Sequence, residues 1–118
     1  LKSQFGRTNT NCGTPAYIAP EILRGSNEHG TEVDIWSFGV LMVEIISGQT
    51  PFIAETSEAV YEKIAQCQPT YTKAVGPVLR DLLAKIFVPD PAQRITIDDI
   101  KEHRLFKVSK FHCLFFNF

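Results

Sequence analysis

The stretch from Asp34 to Ile46, Asp-Ile-Trp-Ser-Phe-Gly-Val-Leu-Met-Val-Glu-Ile-Ile, is apolar almost all round when wound at helical spacing. A helix without a polar face has to be covered by other elements. It is too short to cross a bilayer, which takes about 20 apolar residues. Asp34 is placed to act as its N-cap and Gly48 to terminate it. The expectation is a buried central helix in an all-helical core. No alternating strand pattern occurs anywhere, so the predicted fold class is mainly α, with no substantial sheet.

The remaining elements are predicted around that helix. Residues 1–16 are polar and rich in Gly, Thr and Asn, which reads as a loop. Pro20 to Arg24 suits a short helix, with Pro in its first turn and Gly25-Ser26-Asn27 as its end. A weaker helix is expected over Ser57–Gln66. Beyond Gly76-Pro77, Leu79, Leu82, Leu83, Ile86 and Phe87 form an amphipathic stripe, with Asp81 and Lys85 paired on the other face. Pro89-Asp90-Pro91 stops that helix. Thr96 with Asp99 resembles a capping box opening a last short helix.

Composition narrows the function classes. The chain has 118 residues, 44% hydrophobic and 21% charged, and a net charge of −1 from 12 basic and 13 acidic residues. Without a basic block or stripe, nucleic acid and membrane surfaces are not expected partners. Cys12, Cys67 and Cys113 are far apart and odd in number, which argues against a disulfide framework or a zinc site. Reduced thiols in a cytoplasmic or nuclear protein are the expectation. His29, His103 and His112 lack neighbours for metal or acid/base work and read as surface or loop residues. The opening Leu-Lys-Ser-Gln carries no initiator Met and no signal-peptide pattern, as expected of a piece of something longer.

The stretch with most chemical information is Cys12-Gly13-Thr14-Pro15-Ala16-Tyr17-Ile18-Ala19-Pro20-Glu21. Asp34-Ile35-Trp36-Ser37-Phe38-Gly39 and then Asp90-Pro91-Ala92-Gln93-Arg94 follow it in order. Together they resemble a eukaryotic Ser/Thr protein kinase domain from the end of its activation segment onward. The resemblance covers residues 1–107 and implies the helical lower half of the kinase large (C-terminal) lobe. Residues 108–118 form a separate apolar tail. Gly6-Arg7-Thr8-x-Thr10-x-Cys12 and Tyr61-Glu62-Lys63-Ile64 look like the cyclic-nucleotide-dependent kinases. Pro89 to Ile97, with His103-Arg104-Leu105-Phe106, looks more like the calmodulin-dependent ones.

The resemblance implies roles residue by residue. Thr14 matches the threonine that supports the catalytic loop in Ser/Thr kinases. Thr10, with Thr8 as neighbour, matches the position phosphorylated in the activation loop, so an upstream activating kinase is an implied partner. Lys2 matches a phosphate contact. Asn11, Pro15 and Ile18 match the pocket for the substrate residue after the phosphoacceptor, with Asn11 in place of the usual apolar wall. Glu44 matches a carboxylate that pairs with a substrate arginine, while Ala16 stands where a second one sits in cyclic-AMP-dependent kinase. Glu21 and Arg94 match a structural ion pair, Asp34 a contact to the catalytic-loop backbone, and Trp36 and Gly39 packing positions. Cys12 sits where related kinases carry an oxidisable cysteine, and inert packing is the expectation for it.

Kinase chemistry uses a Gly-rich loop, a strand lysine, the catalytic Asp and Asn of one loop, and the magnesium-binding Asp of Asp-Phe-Gly. None of these motifs occurs in this sequence. ATP and Mg are therefore expected for the full-length enzyme and none for this chain alone, and no residue here is assigned as a catalytic group. The implied partner is a protein or peptide substrate. The competing expectation is a truncated, catalytically inactive kinase-like binding module; an unrelated helical adaptor would need the motif order to be accidental. In the tail, Phe115-Phe116-Asn117-Phe118 loosely resembles a terminal Phe-x-x-Phe docking motif, yet comes too soon after the core. A truncated or misread reading frame is the expectation there, and such an apolar cluster is an association hazard.

Overall fold

The computed structural model describes residues 17–27 and 30–107. Among these residues there are helices and turns and no strand, which is the mainly α class expected. Helix α1 spans Pro20–Leu23, α2 Thr31–Ser47, α3 Ser57–Ala65 and α4 Pro77–Ile86. A 3₁₀ turn over Pro91–Gln93 follows, then α5 at Ile97–Lys101 and α6 at Arg104–Lys107. Helix α2 packs on α4 and on the 3₁₀ turn, α1 on α3, and α6 on both α4 and α5.

The central helix starts earlier than the sequence suggests. Its N-cap is Gly30, in extended backbone, and Asp34 lies within the first turn rather than capping it. The cause is that Thr31 and Glu32 continue the helix as exposed polar residues, with Val33 alone of the three packed against the core. At the other end Gly48 closes it in the left-handed conformation, φ +81°, with its N–H on the Glu44 carbonyl at 2.8 Å.

The described residues do not cover the helix all round. Ile35, Trp36, Gly39, Val40, Met42 and Val43 are buried, whereas Leu41 and Ile45 are 45% and 65% exposed. The core lies on the buried side. Trp36 stacks on Phe52 with ring centres 5.5 Å apart, and Phe87 meets both edge-on, at 4.9 Å and 5.3 Å. Such aromatic pairs contribute roughly 0.5–1.5 kcal/mol each beyond the area they bury. The α4 stripe of Leu79, Leu82, Leu83 and Ile86, with Phe87 after it, is buried against them. Gly39 lets α4 approach: a Cβ there would lie 2.8 Å from Ile86 Cγ2 and 3.1 Å from the Phe87 ring.

Local chemistry sets the shorter elements. Thr56 caps α3 by accepting from the Ala59 N–H at 3.1 Å, and Thr96 caps α5 by accepting from the Asp99 N–H at 3.2 Å. The Asp90 carboxylate accepts from the Ala92 N–H at 3.0 Å and starts the 3₁₀ turn. The Lys85 ammonium reaches Asp81 at 2.9 Å on the exposed side of α4.

His103 departs from the surface reading: its side chain is only 7% exposed. Nε2 meets the Asp81 carboxylate at 2.8 Å, and Nδ1 accepts from the Leu105 N–H at 3.0 Å. A ring nitrogen that accepts an N–H has its proton on the other nitrogen. His103 therefore caps α6, a helix that apolar periodicity did not announce, and ties it to α4.

Candidate functional site

The buried polar tie between the segment entering α1 and the body of the protein runs through one side chain. Arg94 follows the 3₁₀ turn, and its guanidinium is fully buried beside the Glu21 carboxylate, which is 9% exposed. The two residues are 73 apart in sequence and meet through two parallel bonds, Nη1 to Oε2 at 2.8 Å and Nη2 to Oε1 at 2.9 Å. This fork-on-fork geometry is specific to Arg, because an ammonium cannot present two parallel donors to one carboxylate. Arg94 also donates to the Glu32 carbonyl in the first turn of α2 and to the Val88 carbonyl after α4, each at 2.9 Å. The guanidinium lies 5.1 Å from the centre of the Trp36 ring. One cation thus joins α1, α2, the end of α4 and the aromatic core.

Burial pushes the Glu21 carboxyl upward, but the hydrogen bonds and charge of Arg94 outweigh that and hold its pKa below the ordinary value. Two buried donors, the Trp36 indole N–H and the Arg94 Nε–H, have no acceptor among the described residues. Arg24 adds a second strap, donating to the Pro89 carbonyl at 3.0 Å. Neither this contact nor the two carbonyl contacts of Arg94 left a trace in the sequence, since backbone acceptors have no residue signature. Beside the clasp lies an open cleft of about 210 Å³, lined by Glu21, Ser26, Gly30, Glu32, Val33, Pro91 and Ala92.

The other candidate residues fall as follows. Ile18 is half-buried just before α1, and Ser37 on α2 donates weakly to the neighbouring Tyr17 carbonyl at 3.5 Å. Glu44 is half-buried on α2, and Asp34 is exposed on the same helix. Trp36 and Gly39 are in the core already described. Lys2, Thr8, Thr10, Asn11, Cys12, Thr14, Pro15, Ala16, His29 and His112 lie outside the described residues, as does the tail 108–118.

The fit of a nucleotide with its metal can be tested on these residues. No group of three or more His, Cys, Asp or Glu that could hold a metal ion occurs among the described residues. The cleft at the clasp is lined by two carboxylates and no Lys or Arg, so it offers no counter-charge to a triphosphate. A second open cleft, lined by Ala84, Lys85, Val88, Gln93, Ile95, Asp99 and His103, has one lysine and no glycine-rich loop. The described residues do not fit MgATP. No helix among them is long and apolar enough to cross a membrane.

Comparison with known proteins accounts for this arrangement. Residues 2–106 match the protein kinase domain family. The chain is 40% identical over 108 residues to CBL-interacting protein kinase 26 of Oryza sativa subsp. japonica, covering 92% of this chain and 22% of that protein. It is 39% identical over 109 residues to the protein kinase C delta type of Rattus norvegicus, covering 92% and 16%. It is 42% identical over 106 residues to the cAMP-dependent protein kinase catalytic subunit 3 of Drosophila melanogaster, covering 86% and 18%. The chain thus spans about a fifth of the length of the curated relatives it matches. Near-equal identity to kinases named for different regulators fits a segment common to all of them. With most of its length inside the match, the chain belongs to the protein kinase domain family, as a helical Ser/Thr-kinase segment.

Proposed function

We propose that this chain forms the activation-segment end, peptide platform and helical core of a Ser/Thr protein kinase that transfers the γ-phosphate of ATP to protein Ser or Thr. The observation that carries the reading is the buried bidentate clasp between Glu21 and Arg94. It fixes the segment that presents substrate-facing residues onto a rigid helix, and a positioning role needs that rigidity. ATP and Mg are held by parts of the full enzyme outside this sequence. They supply the phosphoryl group and its charge neutralisation there.

Within this reading Thr14 supports the catalytic loop. Asn11, Pro15 and Ile18 shape the pocket after the phosphoacceptor, and Glu44 receives a substrate arginine. Thr10, with Thr8 as the alternative, is the activating phosphorylation site, Lys2 touches that phosphate, and the partner is an upstream kinase. Asp34, exposed on α2, is free to meet a catalytic-loop backbone. The enzyme works in the cytoplasm or nucleus.

The test is to express the chain in frame with its upstream coding sequence and follow phosphate transfer from ATP to Ser, Thr and Tyr peptides. Transfer to Ser/Thr peptides, faster with an upstream Arg and slowed by Glu44→Gln, is the expected result. Peptide binding without transfer would instead make this a binding module. The isolated chain is expected to show no thermal shift with MgATP.

A further inference from the structure

Both ring nitrogens of His103 are in use, and they make opposite demands on its protonation. Nε2 lies 2.8 Å from the Asp81 carboxylate on α4, a contact that strengthens when the ring is charged. Nδ1 accepts the Leu105 N–H at 3.0 Å, a bond that exists only while that nitrogen carries no proton. One form alone satisfies both partners, the neutral ring protonated at Nε2. In that form it caps the first turn of α6, whose Phe106 side chain is fully buried.

Among the described residues, charged groups lie around the ring on each helix packed there. On α4, Asp81 is held down at about 2 by hydrogen bonds from Lys85 and His103. It therefore stays anionic over the range of about pH 5 to 8 in which histidine ordinarily changes charge. Lys85 is bonded to the same carboxylate at 2.9 Å, whereas Arg80 is turned to the Val75 and Thr72 carbonyls. On α5, Asp99 lines an open cleft of about 480 Å³ together with His103 and Lys85, and Asp98 and Lys101 are exposed. Arg104 and Lys107 lie on α6, the latter paired with Glu102 at 2.8 Å. The ring is mostly covered, but it forms part of the wall of that cleft, which gives solvent protons a path to it.

We propose that His103 is a proton-operated latch: one proton taken from solvent by the Nδ1 lone pair unseats the first turn of α6, while the ring stays bonded to Asp81 on α4. The added proton sets Nδ1–H against the Leu105 N–H, two donors 3.0 Å apart. It also puts a cation beside Arg104 at the start of a helix, where positive charge is disfavoured. The contact with the Asp81 carboxylate becomes a charge-assisted bond. The charged ring thus keeps α4 and gives up α6.

Amide hydrogen exchange of the full chain, followed by NMR from about pH 8 to about pH 5 and expressed as protection over the intrinsic rate, tests the latch. At the alkaline end the ring nitrogen signals should show Nε2–H and a bare Nδ1. On acidification, protection of the Leu105 and Phe106 amides should fall about 5-fold, with the midpoint of the ring signals, while Leu83 in α4 keeps its protection. Asp81→Asn removes the charge that favours the imidazolium and should move both midpoints to lower pH together. His103→Asn keeps an oxygen able to accept the Leu105 N–H but does not titrate, and should make the protection independent of pH. A ring that stays neutral throughout, an Nδ1–H tautomer at the alkaline end, or constant Leu105 protection while the ring titrates overturns the proposal. So does an equal loss at Leu83, which would mean general unfolding, or a His103→Asn chain that still loses protection in acid. The natural chain decides all but the last of these, even where a variant folds poorly.

Discussion

A fully buried guanidinium is tolerated only where acceptors replace its lost water, and the four oxygens around Arg94 supply that. Removing one partner of a buried ion pair costs about 3–5 kcal/mol, because the other charge is left stranded. Arg94→Lys is expected to cost nearly as much, since an ammonium cannot span both Glu21 oxygens and two carbonyls; urea unfolding measures it. The pH dependence follows from Glu21, whose folded-state pKa is lowered. Its contribution is present above the unfolded value, about 4.3, and is lost as pH falls through the folded one. The stability gap between the natural chain and Glu21→Gln should therefore narrow in acid, as titrated by urea midpoints. Gly39 is constrained by space: Gly39→Ala drives a methyl into Ile86 and Phe87 and should destabilise by about 1–3 kcal/mol. The sequence named residues 21 and 94 as partners, and their contact is direct. It could not name the carbonyls, nor the burial of His103, because these depend on where the backbone turns.

At the scale of elements, helix ends carry most of what the apolar pattern missed. Helices α1 and α3 close in the same way. Gly25 N–H bonds to the Ile22 carbonyl and Ser26 N–H to Glu21, while Cys67 N–H bonds to Ile64 and Gln68 N–H to Lys63, all within 2.9–3.0 Å. This double closure requires a left-handed residue, and glycine is the usual one. Gly25 has φ +98°, but on α3 the position is taken by Cys67 at φ +52°. Burial pushes the Cys67 thiol pKa up, in keeping with a packed, inert thiol. Cys67→Gly trades side-chain packing for relief of the left-handed backbone and should come out within about 1 kcal/mol of the natural chain. Cys67→Val should be worse by about 1–2 kcal/mol, since a β-branched residue is least suited to positive φ. Thermal melts of the three chains should rank Val last. The tie between α4 and α6 has its own acid limit. Asp81 is held down at about 2 by hydrogen bonds from Lys85 and His103, so it stays ionised until strongly acid pH. The long amphipathic helix α4 was legible because its stripe repeats. The start of α2 was not, because Thr31 and Glu32 open it with polar side chains and its cap is a glycine in extended backbone.

At the scale of the molecule, the described residues form a helix they bury on one side, an aromatic cluster beneath it, and one cation joining parts far apart in sequence. Continuous apolarity in α2 correctly announced a core helix. It could not show which face the described residues leave open, because Leu41 and Ile45 look the same in sequence as Val40 and Val43. The account depends on the clasp as a unit that locks the segment before α1 to the helical body. A double-mutant cycle of Glu21→Gln, Arg94→Met and the pair, followed by urea unfolding, measures this most directly. The expected result is a double variant destabilised by less than the sum of the two single ones, with a coupling of about 2–3 kcal/mol. A double variant that loses the simple sum of the two would contradict it.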